Sequence, residues 1–361
     1  MNKKLILAFA IGGILGLAFT FWQRSGNINV NINPSLQQQQ EETVSPDVAQ
    51  TSVLTSNLEI PWSLVFLPDG RMLVTERPGR VKLINKDGSI VGDILTISEV
   101  KHQGEGGLMG IALHPNFESN NFVYLYYTYD DNGTMNKVVR YEFNNDNLAN
   151  GSTLLDRIPG ALNHNGGRIK FGPDKLLYIT TGDSQEESSS QDRNSLAGKI
   201  LRMKDDGSNM EVYSYGHRNP QGIAWHSDGR LFATEHGPLA HDEVNLVEQG
   251  KNYGWSVIRG SEQRTGMENP LIESGNGTWA PSGAVFYNGN LFFTGLRGSA
   301  LFEFNPNDLS LKTHFKNEFG RIRDVVLGPD NLLYILTNNR DGRGVPKSGD
   351  DKIIIVNPSK L

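Results

Sequence analysis

A turn followed by a strand recurs six times along this chain, and no other feature narrows its fold as far. The copies are "LPDGRMLVTE" from Leu67, "HPNFESNNFVYLYYT" from His114, "GPDKLLYITTGD" from Gly172, "HSDGRLFATEHGP" from His226, "YNGNLFFTGL" from Tyr287 and "GPDNLLYILTNN" from Gly328. With Asp69, Asn116, Asp174, Asp228, Asn288 and Asp330 as markers, the intervals are 47, 58, 54, 60 and 42 residues. Each interval holds one four-stranded sheet with its loops, which is the blade of a β-propeller. A single Pro-Asp-Gly is an ordinary hairpin turn; six at this spacing predict an all-β, six-bladed β-propeller. A two-sheet sandwich of this length leaves the recurrence unexplained, and no amphipathic helical pattern competes with the strands. The 40 glycines suit tight turns and close blade packing.

Ahead of the repeats lie two segments of different composition. After "MNKK" the stretch Leu5 to Trp22 is apolar or near-neutral throughout, and as a helix its eighteen residues reach about 27 Å, close to the hydrocarbon thickness of a bilayer. Without a small-x-small cleavage site near its end, it reads as an uncleaved signal anchor over residues 1–24, with a cleaved signal peptide as the alternative. Either form exports the rest of the chain, to the periplasm or another extracytoplasmic space, with Lys3 and Lys4 left inside. Residues 25–52, rich in Gln, Asn, Pro and acids, are expected to be a flexible, disordered linker. The propeller is expected over residues 53–361.

Charge and cysteine content exclude several chemistries. Lys and Arg number 34 against 40 Asp and Glu, a net charge of −6, so no broad basic surface exists for nucleic acid. The absence of cysteine removes disulfides, thiolate metal sites and cysteine nucleophiles.

Four loops carry residues that a plain turn does not need. In "NHNGGRIKFGP", Gly166 and Gly167 permit a sharp bend that has no use for His164, which is either an incidental loop histidine or a functional one; Asp183, in the following "TTGD", could orient its imidazole as a base. In "YGHRNPQG", Arg218 and Asn219 precede a proline that fixes the backbone, which suits presenting a guanidinium and an amide to an anion or carbonyl, or else an ion pair at a blade junction. "ATEHGPLAHDEVNLVEQGKNYGW" gathers acids, amides and Gly-Pro carbonyls, the oxygen donors calcium prefers, although a solvated acidic loop has the same composition. Arg297, with Arg321 and Arg323 two apart on an expected strand, forms a cationic set. Arg321 and Arg323 would share a face and either meet an anionic ligand or pair with Asp324 and Glu318.

Together these motifs resemble the glucose/sorbosone dehydrogenase family of soluble quinoproteins, most closely its aldose sugar dehydrogenase branch. The resemblance runs from "PWSLVFLPDGRMLVTERPGRV" through "GEGGLMGIALHPNF", "HNGGRIKFGPD", "GHRNPQG", "DEVNLVEQGKNYGW" and "APSGAVFY" to "RIRDVVLGPD". It implies a six-bladed propeller using pyrroloquinoline quinone (PQQ) and calcium to oxidise the anomeric hydroxyl of aldoses to lactones, passing electrons to an external acceptor. By motif, His164 resembles the catalytic base, Asp183 its orienting carboxylate, and Arg218 with Asn219 contacts to the quinone. Arg321 and Arg323 resemble the pair that meets cofactor carboxylates. Gly237 and Pro238 look like carbonyl donors to the calcium on the cofactor, and Glu243 with the Tyr253 carbonyl like ligands of a second calcium. Two positions depart from the pattern. Glu105 stands where family members can carry glutamine and calls for a proton, a cation or the metal nearby, while Arg297 replaces a lysine and keeps the charge. Two other readings share the fold: a calcium-dependent lactonase, with its metal held on the axis by Asp, Glu and Asn side chains, and a cofactor-free binding module.

Overall fold

The computed structural model describes residues 49–361. Among them, 24 strands form six four-stranded antiparallel sheets. Five blades are contiguous, over residues 61–96, 108–159, 169–215, 220–273 and 281–314. The sixth is composite: strands Ile322–Leu327, Leu333–Thr337 and Ile353–Val356 are completed by Thr51–Thr55, whose Thr51 pairs with Val356. This outer strand from the beginning of the propeller closes the ring. It starts two residues inside the stretch assigned to the linker. The hydrophobic segment Leu5 to Trp22 lies outside the described residues; within them, no helix is long and apolar enough to cross a membrane.

Every repeated turn joins the first and second strands of its blade. The aspartates act through an interaction that suits a short acidic or amide side chain: Asp69, Asp174, Asp228 and Asp330 each accept the backbone N–H two residues on, at 3.0, 3.1, 3.0 and 3.2 Å. In the second copy the longer connection adds one helical turn, Phe117–Asn120.

Packing follows from the alternation of the strands. Six buried apolar clusters stand at the six junctions between neighbouring blades; one joins Leu73 and Leu83 to Leu125 and Val139, and another joins Leu64 and Val74 to Leu336 and Ile353 across the closure. Down the middle, Arg168 reaches from the third blade to three others. Its Nε donates to the Gln221 carbonyl at 2.9 Å and its Nη1 to Ser63 Oγ and Asp324 Oδ2 at 2.8 and 2.9 Å, while the guanidinium lies 4.2 Å from the Trp62 ring centre. A buried charge pair of this kind contributes specificity of assembly more than stability, since desolvation offsets much of its attraction.

The six hairpins occupy one end of the ring, so the loops before each first strand and after each second strand lie at the other. Glu105, His164, Arg218, Asn219 and Arg321 fall in the first set of loops, and Asp183, Gly237, Pro238 and Arg297 in the second. Topology alone therefore puts them on one face.

Candidate active site

Local backbone constraints bring His164 into position. Its φ of +60° is followed by +62° at Gly166 and +101° at Gly167, a left-handed path that glycine follows without strain. The chain then runs so close to Gly182 that a β-carbon there would lie 2.0 Å from the His164 carbonyl oxygen. Gly182→Ala is therefore expected to displace the His164 peptide and cost about 1–3 kcal/mol, measured by denaturant unfolding; an undiminished midpoint would contradict the close packing.

Asp183 is buried and lies 2.7 Å from His164 Nδ1. Its carboxylate also accepts the Trp255 indole N–H at 2.8 Å and the Gln185 backbone N–H at 2.8 Å. An acceptor-only group held in this way keeps the proton on Nδ1, which leaves Nε2 with its lone pair. The imidazole, 18% exposed, lines a cavity of about 210 Å³ that it shares with Glu105, Arg218, Asn219, Gly237, Pro238 and Arg297.

Glu235, at the end of its blade's second strand, builds the "HRN" segment. It accepts the backbone N–H groups of Arg218 and Asn219, and its other oxygen lies 2.9 Å from His217 Nδ1. Arg218 does not form the ion pair that sequence left open. Its Nη1 donates to the Gly237 carbonyl at 2.7 Å, its guanidinium sits 5.3 Å from the Trp255 ring centre, and its buried Nε has no partner. Asn219 accepts the Gly166 N–H at 3.0 Å and so ties this segment to the His164 arm.

A second cavity of about 260 Å³ adjoins the first, sharing Glu105, His236, Arg297 and Arg343 and adding Gln221, Arg321 and Arg323. Arg321 and Arg323 meet here, but strand alternation is not the cause. Arg321 precedes the strand Ile322–Leu327, and Arg323 sits where its register slips. Neither pairs with Asp324 or Glu318. Arg321 donates to Asp341 Oδ2 through Nε and Nη2 at 3.0 and 2.8 Å, while Asp324 is engaged by Arg168. Arg323 is buried, donates to Gln221 Oε1 at 2.6 Å, and leaves Nε without a partner. Burial, reinforced by the charges of Arg321 and Arg77, pulls its guanidinium down to about 9, the mark of a cation short of counter-charge. Arg297 stands exposed on the rim of both cavities.

Glu105 has its cation. Arg343 Nη1 donates to Glu105 Oε1 at 2.6 Å, and Oε2 accepts the His164 backbone N–H at 3.1 Å. Burial opposes ionisation, yet His236 where it is protonated, the Arg343 guanidinium and these hydrogen bonds hold the carboxyl below its ordinary value. Arg343, His236, Trp255 and Asp242 are absent from the sequence expectations. Arg343 follows the second strand of its blade, as Asp183 and Gly237 follow theirs, and that shared position was the available signal. Asp242 accepts the Gly237 N–H at 2.9 Å and the N–H groups of Trp279 and Ala280 at 2.6 and 2.8 Å, fixing the Gly-Pro turn to the next blade. His236 is half-buried between the two cavities with Nε2 unpartnered, and burial lowers it to about 4.

Among the described residues, no three His, Asp or Glu side chains converge as a ready metal site. Carbonyl and amide oxygens must therefore complete any calcium shell. Glu243 and Tyr253 line a void of about 10 Å³ together with Glu235 and Gly237, the room of a single ion or water. Next to Glu243, whose Oε2 accepts from Asn245 Nδ2 at 3.1 Å, the buried Asn245 Oδ1 has no partner. Burial, with the charges of Glu235 and Glu273, raises Glu243 to about 8. An orphaned acceptor beside a crowded carboxyl suits a hard cation. The unpartnered Nε atoms of Arg218 and Arg323 likewise suit an anion carrying several carboxylates.

Fold and site define a class: a propeller enzyme with an imidazole–carboxylate pair at the edge of an arginine-walled well. Residues 58–346 match the Glucose / Sorbosone dehydrogenase family, and the chain belongs to that family. It is 30% identical to aldose sugar dehydrogenase YliI of Escherichia coli (strain K12), covering 82% of this chain and 92% of that protein. It is also 30% identical to quinoprotein glucose dehydrogenase B of Acinetobacter calcoaceticus, over 74% of this chain and 63% of the relative. The PQQ-bound aldose sugar dehydrogenase of Streptomyces coelicolor superposes with a TM-score of 0.80 at 37% identity, covering 85% of this chain and 98% of that one.

Proposed function

We propose that this protein is a PQQ- and calcium-dependent aldose sugar dehydrogenase that oxidises the C1 hydroxyl of an aldose to the lactone, with His164 as the general base. The observation that carries the reading is the 2.7 Å pairing of His164 with buried Asp183 in a cavity shared with Arg218, Arg297, Gly237 and Pro238. PQQ, when bound, would supply the hydride acceptor, and calcium would supply Lewis-acid activation of it. Arg321, Arg323 and Arg297 would hold carboxylates of the cofactor, and Arg218 with Asn219 its quinone edge. Gly237 and Pro238 carbonyls would hold the calcium on the cofactor, and Glu243 with the Tyr253 carbonyl a second, structural ion. His164 Nε2 takes the proton of the C1 hydroxyl, and Asp183 stabilises the imidazolium that results. Arg218 stands beside the charge that develops on the acceptor side.

The lactonase reading needs acids and amides gathered on the axis, where Arg168 stands instead. A binding module has no use for a base held in one tautomer. The proposal carries with it export by the segment Leu5 to Trp22, its association with the membrane, and an electron acceptor outside the cytoplasm.

The test is reconstitution of purified protein with PQQ and calcium, followed by dye reduction with several aldoses. No reduction with any aldose would reject the enzyme reading. Arg321→Ala should raise the Kd for PQQ by roughly 10- to 100-fold, the worth of a charged hydrogen bond, and leave kcat at saturating cofactor within about threefold. A loss confined to kcat would contradict its assignment.

A further inference from the structure

We propose that Arg343 is a positioning residue of this site, one that clamps Glu105 and Asn163 from the sixth blade and so holds the His164 arm at the well. The inference rests on the dehydrogenase reading for its consequence in turnover, although the clamp itself is a property of the cofactor-free chain. Its guanidinium is forked between two acceptors: Nη1 donates to Glu105 Oε1 at 2.6 Å and Nη2 to Asn163 Oδ1 at 2.7 Å. Asn163 adjoins His164, and the second Glu105 oxygen takes the His164 N–H at 3.1 Å. One arginine thus fixes two successive residues of the arm, one directly and one through a carboxylate.

The arm needs such a hold. His164 has a positive φ of 60°, a conformation that non-glycine residues keep only when their surroundings over-determine it. The Glu105 loop is already joined to the arm, since Glu105 N–H donates to the Leu162 carbonyl at 2.7 Å. A β-carbon at Gly104 would lie 2.1 Å from that carbonyl. Glu105 is thereby committed to a place beside His164 whatever its charge, and a carboxylate there without a cation would stand half-buried and unpaired.

Arg343 is also anchored from behind. Its backbone N–H donates to Asp341 Oδ1 at 2.9 Å, and Asp341 Oδ2 receives both Arg321 donors. A continuous chain of hydrogen bonds, two of its links through backbone N–H groups, therefore runs Arg321, Asp341, Arg343, Glu105, His164. It links a guanidinium at the cofactor end of the well to the peptide that carries the base. The Arg343 side chain is 49% exposed, so the fold does not depend on burying it.

Two independent readouts test the proposal. In cofactor-free protein, Arg343→Ala should raise amide hydrogen exchange across residues 161–167 at least tenfold, with the blade strands unchanged. In PQQ-loaded protein it should lower kcat by roughly 10- to 100-fold, with a smaller change in KM. Arg343→Lys, which keeps the charge without the fork, should recover part of both losses. The double variant Glu105→Gln/Arg343→Ala should stay as impaired as Arg343→Ala, because a neutral amide removes the unpaired charge but restores neither contact of the fork. Unaltered exchange over 161–167, faster exchange in every blade, or a double variant as active as Glu105→Gln alone would each overturn the clamp. Wild-type protein that bound no PQQ would reject the dehydrogenase reading and leave the exchange measurement to decide the clamp.

Discussion

His164→Ala should lower kcat for aldose oxidation by about 10³-fold, within the range that general base catalysis contributes, while the Kd for PQQ changes by less than about threefold. The asymmetry follows from where the side chain is fastened. Its Nδ1 is committed to Asp183, at 2.7 Å, and the cationic wall that would hold the cofactor, Arg321 and Arg323, lines the adjoining cavity. Removing the imidazole takes away the proton acceptor and little of the binding charge. Asp183→Asn is the finer probe. Asp183 accepts from the His164 ring, the Trp255 indole and the Gln185 N–H, three donors against a group with no proton to give. An amide would turn an N–H toward one of them and favour the wrong imidazole tautomer, so kcat should fall by about 10²-fold or more with the ring still present. Rapid-mixing kinetics of dye reduction, with PQQ binding titrated separately, distinguish these outcomes. An alanine variant as active as wild type would remove His164 from the chemistry.

What could be read from the sequence was what local chemistry determines. Asp69, Asp174, Asp228 and Asp330 announce hairpins because each makes its own short-range hydrogen bond, and their spacing then gives the blade count. The loops before each first strand and after each second strand lie on the opposite face, so His164, Asp183, Arg218 and Gly237 could be grouped without coordinates. Long-range pairing was out of reach. That Thr51 lies against Val356 follows from ring closure, which no local window contains. Strand alternation put Arg321 and Arg323 on one face, yet Arg321 precedes the strand and Arg323 sits in a slipped register. Arg343 was hidden in "RDGRGVPKSGD", a stretch whose Gly, Pro and charged residues read as an ordinary surface loop. Its meaning depends on Glu105, 238 positions earlier. A negative charge in "GEGG" stated the need for a cation without naming it.

The second large effect concerns Glu243 and calcium. In chelator, stability should decline as pH rises from about 5 to 8, and calcium should abolish the decline. Burial first, then the charges of Glu235 and Glu273, raise the folded-state carboxyl from its ordinary value of 4.5 to about 8. A carboxyl whose folded value lies above its unfolded one keeps a proton that the unfolded chain has released. Its favourable contribution is therefore complete below about 4.5 and is lost progressively as pH climbs toward 8. The total is on the order of a few kcal/mol, reduced because neighbouring carboxylates share the load. A divalent ion in the void beside Glu243 would take the place of that proton and reverse the repulsion among the acids. At a hundredfold excess over its Kd, calcium would add about 2.7 kcal/mol, more at pH 8 than at pH 5, with about one proton released per ion. Glu243→Gln should flatten the pH dependence in chelator and weaken the response to calcium together, since one carboxyl is responsible for both. Denaturant unfolding at pH 5 and pH 8, with chelator or with calcium, gives the four required midpoints. If the chelated protein is equally stable at both pH values and calcium moves neither midpoint, Glu243 does not hold an ion and the void beside it belongs to water.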